Sequence, residues 1–335
     1  MVNLYKKLCL KLLLVGLLVG CSNDVNFSVP STSQDFNQTL AYNNKVDFLF
    51  IMDNSDSMAK ARVNLFNSLP GLVEALNKLK LDFRLASTST TMASWFSMAG
   101  RLFGEPKYIT SETPNFLAKL KERILIEGPP GSSIEKGLDS MLNVLSETYQ
   151  NSEGQNFLRS DSLLVVVYVT NEDDGSDKIN SSSKTDQTKY YSDFLNSLKP
   201  TWSNGERGWI FNFVGLTSLN EPCSTGSNGT KIPGIRLMEL ANKSKGRIES
   251  ICQANLGFAV SNIKARIMQF LTDYKLNSIP NVDSIKVFIN GAEIPKNDVN
   301  GWSYIANLNV VRFNGNAVPT ADADIRIDFT PNAPN

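Results

Sequence analysis

Residues 45–60, KVDFLFIMDNSDSMAK, join a core segment directly to a polar one. The run 46–52 is apolar at every position except Asp47, and its length is that of a buried strand. It stops at Asp53-Asn54-Ser55-Asp56-Ser57, an acidic, hydroxyl-rich turn, and a helical pattern begins just after it. A core strand thus delivers one carboxylate and two hydroxyls, Asp53, Ser55 and Ser57, to one spot. Alternate spacing in an extended loop places these three oxygen side chains on one side of the chain, which suits a hard divalent cation. The competing explanation is a turn in which Ser57 caps the following helix.

Outward from this stretch, strand-like runs at 46–52, 83–87, 163–170, 209–216 and 247–251 alternate with helical patterns. Those patterns cover 58–80, with a kink expected at Pro70, then 116–124, a stretch from about 133, 189–198, 235–242 and an amphipathic 258–274. Such alternation predicts an α/β fold with a doubly wound, mostly parallel sheet and helices on both faces. Ligands of such sheets bind at the carboxyl ends of the strands, where Asp53 stands. After Ser278 the period falls to two: SIKVFINGAEIP, WSYIANLNVVRFNG and ADIRIDFTP are separated by Asn-Gly and Pro turns. That pattern predicts a small antiparallel, β-sandwich-like domain over 278–335.

Lys plus Arg equals Asp plus Glu, 33 of each, so no nucleic-acid partner is expected. Histidine is absent, which excludes Ser-His-Asp and Cys-His hydrolysis and His-ligated zinc. Residues 1–20 have a lysine-rich start and a short apolar centre, the pattern of a secretory signal peptide. They end in Leu18-Val19-Gly20-Cys21, which resembles a bacterial lipoprotein processing box, with Cys21 as the lipidated residue. Ser22 and Asn23 follow, with no aspartate at the position that resembles the inner-membrane retention signal, so outer-membrane anchoring in the cell envelope is expected. Residues 21–44 are polar and read as a tether, and 45–277 form the α/β domain. Cys9 leaves with the signal peptide, so Cys223 and Cys252 remain, and in an oxidising compartment they most simply pair. The alternative is two separate buried thiols.

Two further segments meet the first. GPPGSSIEKGL, 128–138, has Gly131-Ser132-Ser133 opening a helix, and Thr170-Asn171-Glu172-Asp173-Asp174 follows the strand LLVVVYV. Together the three segments resemble the von Willebrand factor A domain and its metal-ion-dependent adhesion site, over about 45–273. That family carries an Asp-x-Ser-x-Ser loop after its first strand, a threonine opening a middle helix and an aspartate after its fourth strand. The resemblance is narrower still to bacterial A-domain lipoproteins with an acidic run, a late cysteine pair and a β appendix. It implies one ion, Mg²⁺ or else Mn²⁺ or Ca²⁺, held by Asp53, Ser55, Ser57 and Ser132. Here Ser132 stands at the threonine position and Asn171 at the aspartate position, so Asn171, Asp173 or Glu172 completes the shell. The function implied is adhesion-type binding without enzymatic activity: the ion bridges to an Asp or Glu carboxylate on a partner protein while lipid holds the chain to the membrane. An envelope scaffold that binds no metal, or a metal-assisted hydrolase, are the other readings. The acidic run also reads as a solvated loop at Asp174 and Asp177, and the polar run 88–91 as a plain strand exit.

Overall fold

A computed structural model describes residues 32–36, 45–126, 134–177, 188–201, 207–226, 229–320 and 322–332. In chain order the elements are β1 (Thr32–Phe36), β2 (Lys45–Met52), α1 (Ala59–Ser68), α2 (Pro70–Lys78), β3 (Asp82–Ser89), α3 (Phe116–Ile124), α4 (Gly137–Leu145), the one-turn α5 (Glu147–Gln150) and β4 (Leu163–Thr170). They continue with α6 (Lys189–Leu198), β5 (Trp209–Gly215), the short pair β6 (Thr225–Gly226) and β7 (Gly229–Thr230), α7 (Ile235–Lys243), β8 (Ile248–Ser250) and α8 (Gly257–Thr272). The last strands are β9 (Asp273–Lys275), β10 (Lys286–Ile289), β11 (Ala292–Ile294), β12 (Trp302–Ile305), β13 (Val310–Phe313) and β14 (Ile325–Phe329).

The main sheet has five parallel strands in the order β3-β2-β4-β5-β8. Because side chains alternate along a strand, its two faces feed two separate apolar layers. Phe48, Phe50 and Met52 of β2 pack with Leu65, Leu72, Leu120 and Ile267 from α1, α2, α3 and α8. Leu49 and Ile51 face the other way, toward Leu138, Met141, Leu195 and Leu237 from α4, α6 and α7. This is the doubly wound sheet that the alternating runs predict. At the kink expected at Pro70, α1 ends at Ser68 and Pro70 opens α2 at a position where its missing N–H costs little, while Leu69 between them keeps a helical conformation (φ −69°, ψ −30°).

The C-terminal strands form a four-stranded sheet, β1-β14-β10-β11, and a three-stranded one, β12-β13-β9. Asn290 and Gly291, both at positive φ (51° and 79°), make the β10–β11 hairpin turn that Asn-Gly signals. Two features differ from the sequence reading. Thr32–Phe36 lie within the stretch read as a tether, yet they pair along β14 from Thr32↔Phe329 to Phe36↔Ile325. β1 is an edge strand held by main-chain bonds, so its polar sequence gave no sign of it. Likewise β9 leaves α8 directly and pairs with β13, so the three-stranded sheet begins before residue 278. Residues 1–31, with Cys21, lie outside the described residues. Among the described residues no helix is long and apolar enough to cross a membrane.

Candidate metal centre

β2 and β4 lie where the strand order reverses, since β3 lies on one side of β2 while β4, β5 and β8 run out on the other. Sheets of this kind open a crevice at that point, beyond the strands' carboxyl ends. Asp53 and Asn171 are the first residues past these two strands, and the Asp53 N–H donates to the Val169 carbonyl at 2.9 Å.

Asp53 is fully buried. Its Oδ1 accepts from the Ser55 N–H at 2.9 Å and its Oδ2 from the Thr170 hydroxyl at 2.8 Å. A carboxylate oxygen has a second lone pair, so each retains acceptor capacity. The buried Arg62 guanidinium of α1 donates to the carbonyls of Asp53 and Ser55 at 2.9 and 2.8 Å, which fixes the loop's backbone. Ser55 and Ser57 place their Oγ atoms 3.1 Å apart. The Asn171 Nδ2 donates to the Ser57 Oγ at 3.1 Å. Neither the short turn at 56–58 nor α1 has a side-chain cap, so the N-cap explanation for Ser57 does not hold. The Asn171 Oδ1 is buried and has no hydrogen-bond partner.

Asp53, Ser55, Ser57 and Asn171 are therefore one connected group of hard oxygen donors. The unmatched amide oxygen and the remaining carboxylate lone pairs fit a divalent cation of the Mg²⁺ type. Ser132 lies outside the described residues. Asp173 turns away: its carboxylate pairs with Arg236 of α7 at 2.9 Å. Of the acidic run, Glu172 remains beside the group, 3.4 Å from the Lys231 ammonium, which itself lies 3.3 Å from the Ser57 Oγ.

Two parts of the surroundings differ from the sequence reading. Asp174 is not solvated. Its Oδ2 accepts from the Tyr168 hydroxyl at 2.6 Å and the Leu138 N–H at 3.1 Å, and its Oδ1 from the Ser176 N–H at 2.8 Å. The Gly137 N–H donates to the Tyr168 Oη at 3.0 Å and the Asp139 N–H to the Ser176 Oγ at 2.9 Å. The end of β4 and the loop after it thus supply acceptors for the free N–H groups that open α4. A Cβ on Gly137 would stand 2.3 Å from the Tyr168 hydroxyl oxygen, so only glycine allows this approach. The run 88–91 is also buried. Thr91 donates to the Asn54 Oδ1 at 2.9 Å, and the Thr90 hydroxyl donates to the Glu135 carboxyl. Glu135 is pushed up to about 8, first by burial and then by the nearby Asp53 charge. No short-range motif marks Glu135, Thr90 or Lys231, because each reaches the site from a distant segment.

Cys223 and Cys252 form a disulfide with their Cα atoms 5.4 Å apart. Among the described residues, the one cluster of metal-type ligands by residue type is Glu221 with these two cysteines, whose sulfurs are already bonded to each other.

No family model matches the chain, and no curated protein matches it. Among solved structures it is similar to the pilus adhesin RrgA from Streptococcus pneumoniae, with TM-score 0.38 and 9% identity over 89% of this chain and 57% of that one. It is similar also to the pilus adhesin SpaC from Lactobacillus rhamnosus GG, with TM-score 0.40 and 12% identity over 87% and 39% of the two chains. A third is proximal thread matrix protein 1 of the mussel byssus, with TM-score 0.39 and 10% identity over 72% and 51%. This chain thus spans 57% of the RrgA chain.

Proposed function

We propose that this chain is a non-enzymatic binding protein of the cell envelope, held to the membrane by lipid on Cys21, in which one divalent ion bridges to a carboxylate on a partner protein. The observation that supports it is the meeting of Asp53, Ser55, Ser57 and Asn171 at the switch point of the sheet, with the Asn171 Oδ1 left without a donor. Asp53 supplies the charge, Ser55 and Ser57 the neutral oxygens, and Arg62 holds the loop that presents them. When bound, the ion supplies a positive centre with an open position for an acidic side chain, and Mg²⁺ tolerates retained waters in such a shell.

Isothermal titration of Mg²⁺ and Mn²⁺ tests the reading. Wild type should bind one ion, and Asp53→Ala should abolish binding while circular dichroism stays unchanged. A wild type that binds neither ion at millimolar concentration, with or without an acidic peptide, overturns it. The scaffold reading would then stand, and one observation favours it: the Lys231 ammonium already lies on Ser57 and Glu172.

A further inference from the structure

Lys231 brings a positive charge to the group of oxygens that would hold the ion. Its Nζ is 3.3 Å from the Ser57 Oγ and 3.4 Å from the Glu172 Oε1. The Lys231 side chain is 17% exposed, so the ammonium sits against the site and not out in solvent. Two structural features place it there. The Lys231 N–H donates to the Ser224 carbonyl at 2.9 Å, which extends the pairing of β6 with β7. Ser224 is next to Cys223, whose disulfide to Cys252 pins the base of that pair.

An ammonium and a hard divalent ion seek the same hydroxyl and carboxylate oxygens. They cannot share them, because two positive charges a few ångströms apart repel strongly away from bulk water. Glu172 is the carboxylate in contact with this ammonium, whereas Asp173 is held by Arg236. Asn171 brings no charge, so an ion would draw further negative charge from Glu172, the carboxylate that meets Lys231 beside Ser57.

We infer that Lys231 is a tethered cation that holds the site when no ion is bound, and that a divalent ion enters by displacing it and takes Glu172 as its second carboxylate. The inference rests on the metal-binding reading and states how that site is regulated. Lysine suits the part: its stem is flexible and its ammonium is a compact charge that can swing into solvent. As a competitor attached to the same chain, it is always present at high effective concentration. The affinity of the oxygen group for an ion is therefore held below what the oxygens alone would give.

Two measurements test this. In titrations with Mg²⁺ and Mn²⁺, Lys231→Met should tighten binding by about tenfold, equivalent to ~1.4 kcal/mol. Glu172→Gln should weaken binding, and Asp173→Asn should leave it unchanged. In wild-type protein, acylation of Lys231 by an amine reagent, followed by peptide mapping, should become faster when Mg²⁺ is added. Displacement is overturned if Lys231→Met binds no more tightly than wild type, or if Lys231 labelling ignores saturating Mg²⁺. The assignment of Glu172 is overturned if Glu172→Gln binds as wild type does. A wild type that binds with Lys231→Met unaltered overturns this inference and leaves the metal-binding reading standing. If neither protein binds either ion, both fall.

Discussion

Glu135 is 5% exposed, hydrogen-bonded by Thr90 and within electrostatic reach of Asp53. With its folded pKa raised to about 8 from 4.5, the native state holds a proton that the unfolded chain releases. This contribution to stability is complete below the unfolded value and is lost as pH rises through about 8. Glu135→Gln keeps the shape without the charge. It should flatten the stability profile across that window and raise unfolding free energy at pH 8 by roughly 1–3 kcal/mol, read by urea titration at several pH values. Asp47 is the one polar residue of the run 46–52, and its role was not legible in the sequence. It is fully buried, accepts from the Arg159 N–H and Nε at 2.8 Å each, and lies beside a cluster that includes the buried Lys199. Burial lowers Lys199 to about 8, so that ammonium depends on nearby acceptors and negative charge. Asp47→Ala would remove the buried carboxylate that Arg159 pairs with, leaving Arg159 its ion pair with Asp82 and Lys199 its hydrogen bonds to Ser162, and should cost about 1–3 kcal/mol in denaturant unfolding.

Among the elements, α4 shows how a helix is specified from outside its own sequence. The sequence pattern puts the start at Gly131-Ser132-Ser133, yet α4 begins at Gly137, and Ile134 ahead of it is 55% exposed. The acceptors for its first N–H groups come from Tyr168, Asp174 and Ser176, more than thirty residues away. Asp174→Ala should therefore destabilise the protein by about 1–3 kcal/mol, and the amides at 137–139 should lose hydrogen-exchange protection first. The β6–β7 strand pair is likewise held from outside its own sequence, by the Cys223–Cys252 disulfide at its base. The double variant Cys223→Ser, Cys252→Ser should lose about 2–4 kcal/mol while retaining the far-ultraviolet spectrum of the sheet. The pairing was legible from the cysteine count together with the expectation of export. That the end of β7 then delivers Lys231 to Ser57 was not, because the contact spans 174 residues of chain.

At the scale of the whole molecule, the apolar layer under α8 does not stop where the sequence period changes. Ile267, Phe270 and Leu271 belong to one core with Tyr274, Val287, Trp302, Val311, Phe313, Ile325 and Phe329. Arg312 of β13 pairs with Asp273 at 2.6 Å, across the junction of α8 and β9. Truncation after residue 272 should therefore yield an aggregating chain, checked by solubility and size-exclusion chromatography. Replacing Thr32–Phe36 with an equally long Gly-Ser stretch should speed amide exchange in β14, where β1 now pairs. If lipid is carried on Cys21, this pairing brings the membrane attachment close to the β14 sheet, since the chain from Cys21 to Thr32 spans at most about 40 Å. The sequence by itself determined the alternation of buried strands and amphipathic helices, the antiparallel C-terminal pattern and the Asp53-Ser55-Ser57 loop. Each of these is written in local period, length and turn chemistry. Tertiary structure alone decided that Asp173 is bound by Arg236, that Glu135 is sealed beside Asp53, that Lys231 stands on the site, and that a polar segment serves as an edge strand. Those outcomes depend on which distant charges and main-chain groups meet once water is excluded, and local sequence pattern carries no record of such meetings.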